Sequence, residues 1–225
     1  EDDNGGPFDH DGTFYAVYGQ TSGNVAVASL NSAAAGETVL GGIGNSNDTL
    51  TQTAAAHTDL VMLGGGGNDT FHLLNANIDR IDGGAGNLDK IFLEAATSID
   101  FSGLNGFHMQ RIEGFDLSHG SAQTMTIKLS TIMDMLNSSD TGNLIFFGGA
   151  NDILKIDTDF GSHRAEVTDG IQNANEVKLA LEDVFGNGEV THEQSGGQDH
   201  FTIGGHTISI DSVLITNIAV GENPV

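Results

Sequence analysis

"LVMLGGGGNDTFHL", residues 60–73, runs from an apolar stretch through four glycines into Asn-Asp and back to apolar residues. Three kinds of loop place glycines and a carboxylate between two short strands: a phosphate cradle, a flexible linker and a cation-binding turn. A phosphate loop ends in G-K-[ST] and opens a helix, whereas "NDTFHLL" has no Lys and continues with strand-forming residues. A linker has no reason to lie between "LVML" and "TFHLL". The flanks leave a tight turn between strands, with or without an ion.

The same frame recurs around it. Asp48, Asp59, Asp69, Asp79 and Asp89 are separated by 11, 10, 10 and 10 residues, and two positions after each stands an apolar residue: Leu50, Val61, Phe71, Ile81 and Ile91. The segments before these aspartates alternate in kind, with "GGIG" at 41–44, "GGGG" at 64–67 and "GGAG" at 83–86, but "AAAH" at 54–57 and "LNAN" at 74–77. If each unit of about ten residues is a strand plus a turn and the chain reverses at each turn, odd and even strands form two parallel sheets. All glycine turns then stack along one edge, with the loop bearing Asp69 between those bearing Asp48 and Asp89.

Residues 64–72, "GGGGNDTFH", match the nonapeptide G-G-x-G-x-D-x-U-x, with U a large apolar residue, at every fixed position. Here the chain resembles the RTX family of secreted calcium-binding proteins. The likeness is looser at "GGIGNSNDTL", which carries two extra residues, and at "GGAGNLDKI", which carries one. The resemblance implies a short parallel β-roll at 41–93 with Ca²⁺ between stacked turns. Its ligating positions would be Gly42, Gly44 and Asp48, then Gly64, Gly66 and Asp69, then Gly83, Ala85 and Asp89. The chemistry suits the residue types. Glycine permits the positive φ that turns carbonyls inward, Asp supplies a hard anionic oxygen, and Ca²⁺ takes 6 to 8 oxygens at roughly 2.3–2.6 Å. Facing carboxylates on strands about 4.8 Å apart repel by roughly 3 kcal/mol at an effective dielectric of 20, so without a cation the edge should open.

After residue 93 the period is lost. Short strands broken by Gly and Ser are expected to about residue 129, then a short helix in "LSTIMDMLNSS" with Ser130 as N-cap. "NLIFFGGANDILKI" repeats the strand, glycine turn, Asp, apolar pattern in shortened form and makes Asp152 a further calcium candidate; Asp157 and Asp159 in "KIDTDF" are another. "NANEVKLALEDVFGNG" reads as a helix capped by Asn173 or Asn175 and stopped at Gly186. "HFTIGGHTISIDSVLI" reads as a hairpin on Gly204-Gly205, and residues 12–30 as another. The expected architecture is mainly β: a short parallel β-roll with RTX-like calcium turns, joined to further strands and hairpins, with two short helices. Residues 1–12 read as an acidic linker in which Asp9 and Asp11 hold a D-x-D-G spacing, and 13–225 as one β-rich domain with a ligand-binding or structural part at 94–225.

Composition bounds the function. Seven Lys and Arg against 31 Asp and Glu leave a formal charge of -24, which repels nucleic acid phosphates and anionic membrane surfaces and favours cations. There is no Cys, hence no disulfide and no thiolate metal site, and no apolar run long enough to insert in a membrane. The nine His include no H-E-x-x-H; His192, Glu193 and His200 have the wrong spacing for zinc. No G-x-S-x-G elbow is present, and no constellation of acid, base or nucleophile meets the tests of a catalytic site.

The run from Ile112 to Leu136, together with "NLIFFGGANDILKI", resembles modules in the carboxyl-terminal third of giant RTX adhesins of Gram-negative bacteria. That implies a non-catalytic, calcium-stabilised extracellular module, monomeric within a larger chain. It would be exported by type I secretion to the cell surface and would bind a peptide or glycan on a host or neighbouring cell, as in biofilm attachment. The alternatives are a structural calcium roll that aids folding after secretion, or the accessory roll of a secreted hydrolase. The roughly 130 residues after Leu93 argue for more than a bare roll.

Overall fold

The computed structural model describes residues 25–26, 38–41, 44–52, 60–94, 98–158, 173–215 and 218–221. The chain is mainly β, its short strands distributed over several sheets, with two helices among the described residues. One parallel sheet holds, in spatial order, β2 (Thr38–Gly41), β4 (Leu60–Leu63), β6 (Ile78–Asp82) and β9 (Met109–Gln110). A second, larger sheet holds in chain order β1 (Val25–Ala26), β3 (Thr49–Thr51), β5 (Thr70–Leu73), β7 (Lys90–Leu93), β10 (Gly114–Asp116) and β12 (Asn143–Phe147). These pair side by side in parallel, so from β2 to β7 consecutive strands alternate between the two sheets. The larger sheet ends in β16 (His206–Asp211), β15 (Gln198–Ile203) and β14 (Val190–Ser195), the last two pairings antiparallel.

The register explains the ten-residue period. Leu50, Phe71, Ile91, Phe115, Phe146 and Ile210 are matched across adjacent strands and are all buried. The rings of Phe115 and Phe146 lie 5.5 Å apart and nearly coplanar in orientation. In the sheet of β4 and β6 the frame slips by one residue: a register shift between Leu60 and Val61 sets Met62, not Val61, opposite Ile81, and Met62 and Ile81 are the fully buried pair. Each large side chain moved out of water contributes about 1.5–3 kcal/mol, so the row fixes both register and inward face.

Beyond Leu93 the strands go to a third sheet as well as to the first two. β8 (Ser98–Asp100), β11 (Thr124–Lys128), β13 (Ile153–Asp157) and β17 (Ile218–Gly221) form another parallel sheet. Longer circuits of unequal length break the period read from the aspartates, although parallel stacking continues. The first helix, α1 (Leu129–Ser138), packs on β9, β11 and β12 through Leu129, Ile132, Met135 and Leu136. It begins directly from β11: Lys128, in extended conformation, occupies the cap position without a side-chain bond, and Ser130 is inside the helix rather than capping it. The second, α2 (Ala174–Phe185), starts at Asn173, whose side chain accepts from the N–H groups of Asn175 and Glu176, and ends at Gly186 with φ of 113°.

The hairpin of β15 and β16 turns on Gly204-Gly205 with Ile203 opposite His206. A second turn, Gly196-Gly197, joins β14 to β15; all four glycines have positive φ, as tight two-residue hairpins demand. The expected hairpin over 12–30 lies outside the described residues except for β1, which pairs with β3 in parallel. The apolar core is one cluster running from Leu50 to Ile215.

Candidate metal centre

Along one edge of the β3, β5, β7 and β10 strands the carboxylates form a ladder. Asp69 Oδ1 accepts the backbone N–H of Asp48 at 2.7 Å, Asp89 Oδ1 accepts that of Asp69 at 2.6 Å, and Glu113 Oε2 accepts that of Asp89 at 2.8 Å. All four acidic residues are at most 2% exposed. The order Asp48, Asp69, Asp89 is the stacking expected from the spacing. Glu113 extends it beyond the glycine turns and was not among the expected ligands. An outer ladder of asparagines runs alongside: Asn47 Oδ1 accepts from Asn68 N, and Asn68 Oδ1 from Asn87 N.

The glycines serve two different needs. Gly44, Gly65, Gly67 and Gly84 have positive φ, where a side chain would strain the backbone. Gly64, Gly66, Gly83 and Gly86 are required by close approach. A methyl group on Gly64 would collide with Asp69 Oδ2 and the Gly83 carbonyl; one on Gly83 would collide with the Arg111 carbonyl and sit 2.7 Å from Asp89 Oδ2. On Gly66 it would lie 2.8 Å from Asn45 Oδ1 and 2.9 Å from the Gly44 carbonyl. Ala85 is tied to the turn before it, donating to Gly65 O and accepting from Gly67 N, both at 2.9 Å.

The second oxygens, Asp69 Oδ2 and Asp89 Oδ2, are buried and meet no hydrogen-bond donor. Burial pushes the Asp69 carboxyl up to about 6, its hydrogen bond from the Asp48 N–H pulling it down and the Asp48 charge adding to the rise. Burial likewise pushes Asp89 up to about 7, with Asp69, Glu113 and Asp140 adding like charge against the Asp69 N–H. Glu113 is raised mainly by burial, against hydrogen bonds that include Ser139. Basic side chains go elsewhere: Arg80 and Arg111 both bind Asp82, Lys90 binds Asp116 and Lys178 binds Glu182. The ladder therefore sets buried carboxylate oxygens beside backbone carbonyls, acceptor next to acceptor, an arrangement that a proton, a donor molecule or a metal cation relieves.

The other expected ligands do not join this stack. Asp152 is buried in its own turn, where Oδ1 accepts from Gln123 N at 2.9 Å and Oδ2 from Gly149 N at 2.7 Å. Asp157 is a half-buried residue of β13, opposite Lys128 and Gly221. Gly42 and Asp159, together with Asp9, Asp11 and Asp59, lie outside the described residues. Among the described residues no group of three or more His, Asp or Glu side chains is placed to hold a metal ion. Two of the histidines singled out for zinc have local partners: His192 Nε2 meets Asp199 Oδ1 at 2.8 Å, and His200 Nδ1 meets Ser209 Oγ at 2.8 Å.

A cleft of about 420 Å³ opens between the 116–122 and 147–152 segments, lined among others by Asp116, Ser118, Phe147, Asn151, Asp152 and Asp211. For Asp116, burial alone would raise the carboxyl, but the bonds from Lys90 Nζ at 2.8 Å and from Ser118 outweigh it and hold it below the usual range. No helix among the described residues is long and apolar enough to cross a membrane. No family model, curated protein or solved structure matches the chain.

Proposed function

We propose that residues 41–93 are a short RTX-like β-roll whose glycine turns hold Ca²⁺, and that the chain is a non-catalytic, calcium-stabilised module of an extracellular RTX adhesin. The observation that carries the calcium reading is the buried, donorless oxygen Asp69 Oδ2 beside the carbonyl of Gly83 in the following glycine turn. A hard cation that takes 6 to 8 oxygens suits a donor set of one carboxylate per turn plus carbonyls. Such a set needs no cluster of three acidic side chains. Calcium would neutralise the charge that burial strands there, closing the turns only where calcium is abundant. These ions would lie among the glycine turns of 44–89, whereas both oxygens of Asp152 already accept backbone N–H groups, from Gln123 and Gly149.

The attachment role rests on the resemblance of residues 112–136 and 143–156 to adhesin modules and on the cleft beside Phe147, which is the size of a short peptide or sugar site. Type I export to the bacterial surface follows from the same resemblance.

Thermal melting in chelator and in millimolar Ca²⁺ tests the calcium reading. Binding at a hundredfold the Kd adds about 2.7 kcal/mol per ion, or about 5–10 °C for a domain of this size. An unchanged Tm would overturn it and leave protonated carboxyls bonding the carbonyls instead. Binding of the chain to peptide and glycan panels in calcium, with none detected, would remove the attachment role and favour a purely structural roll.

A further inference from the structure

The two strands flanking the last glycine turn are matched, residue for residue, to the strands flanking a turn that contains no such glycines. Asp82 of β6 lies opposite Gln110 of β9, and Lys90 of β7 opposite Gly114 of β10. Residues 83–89 therefore correspond to residues 111–113, a turn contracted to Arg111, Ile112 and Glu113. Arg111 takes the place of Gly83, and Glu113 that of Asp89. Arg111 is the one non-glycine with positive φ, 50°, among the described residues, a conformation that a side chain rarely adopts.

The contact that joins the glycine turns is reproduced at this step. Where Gly64 lies against Asp69 Oδ2 and the Gly83 carbonyl, Gly83 lies against Asp89 Oδ2 and the Arg111 carbonyl. Asp89 is 0% exposed and its Oδ2 has no donor. The Arg111 guanidinium does not fill the gap: it turns away to Asp82, donating from Nε at 2.8 Å. Glu113, one methylene longer than Asp, spans the shorter turn and still accepts the Asp89 N–H. The exposed Asp140 carboxylate is near enough to add like charge at both Asp89 and Glu113.

We infer that the junction between the 83–89 and 111–113 turns is a further divalent-cation site, with Asp89 Oδ2, the Arg111 carbonyl and the Glu113 carboxylate as donors and Asp140 steering the ion inward. The inference rests on the calcium reading of the glycine turns and extends it to a turn without the motif. An ion there would tie the regular turns to the three-sided part of the molecule.

Calorimetric titration of Ca²⁺ into the chelator-stripped chain separates the two. Glu113→Gln keeps an acceptor for the Asp89 N–H and removes the charge; it should lose one calcium equivalent. Asp69→Asn should lose a different one, and the double variant both. If Asp69→Asn loses an equivalent while Glu113→Gln binds as the unaltered chain does, the junction site is wrong and the glycine-turn reading stands. If the unaltered chain binds no Ca²⁺, both fall. Should Glu113→Gln not fold, Asp140→Asn decides: one equivalent should weaken several-fold, and an unchanged isotherm overturns the proposal.

Discussion

At the scale of single residues, Asp69 and Asp89 differ from the other buried acids among the described residues in having one buried oxygen with no donor. Asp82 is buried too, but two arginines and the Gly84 N–H satisfy it. Asp69→Asn would keep Oδ1 for the Asp48 N–H and turn an amide N–H toward the Gly83 carbonyl. It should therefore raise the Tm of the calcium-free protein at pH 7.5 while shrinking the rise that calcium produces. A fall in both would show that the side chain acts only through packing. The same carboxyls set a pH dependence. Their folded pKa values, about 6 and about 7, lie above the ordinary 3.8, so between these limits the folded chain binds more protons than the unfolded one. Stability of the calcium-free protein is then fully present below about pH 4 as far as these groups are concerned, and is lost as pH rises through 6 to 7. Melting in chelator at pH 5 and pH 8 should give the higher Tm at pH 5, with millimolar Ca²⁺ reversing the order.

At the scale of elements, what the sequence made legible is what local chemistry decides alone. Asn173, Gly186 and the Gly204-Gly205 pair each act on the backbone within a few residues, and the structure places helix and hairpin where those residues put them. Asn173→Ala, which removes two accepted N–H bonds at the α2 terminus, should cost about 1 kcal/mol in chemical denaturation. The Asp48, Asp69, Asp89 stack was legible because three turns share a frame. Glu113 was not, since its turn has lost the glycines and half its length, and only the pairing of β9 and β10 with their neighbours reveals the correspondence. Ser130 misled for the opposite reason: a good capping residue lies near the helix start, but β11 runs into α1 without a break and leaves Lys128 at the cap. The third sheet was hidden because its strands come from circuits of unequal length. In the larger sheet the matched row of large side chains holds the strands in register: Phe115→Ala, in the centre of that row, should cost about 3–5 kcal/mol in chemical denaturation, far more than loss of a cap.

For the whole molecule the governing quantity is the net charge of -24; among the described residues the basic side chains of Arg80, Lys90, Arg111 and Lys178 are already paired to carboxylates. Charge of one sign on that scale repels itself in the compact state and concentrates cations at the surface. Calcium capture should then have two parts: a local one from the turn oxygens, indifferent to salt because it is buried, and a long-range one from the surrounding acidic field. Only the second is screened, since the Debye length falls from about 30 Å at 0.01 M to about 3 Å at 1 M. Titration at 20 mM and 500 mM KCl should give the same number of calcium equivalents with affinity several-fold weaker at the higher salt. Equal affinities would mean that the surface acids contribute nothing to capture and serve solubility alone. Loss of whole equivalents at high salt would mean that the ions sit among exposed carboxylates instead of between buried turns, which would move the centre away from Asp69 and Asp89.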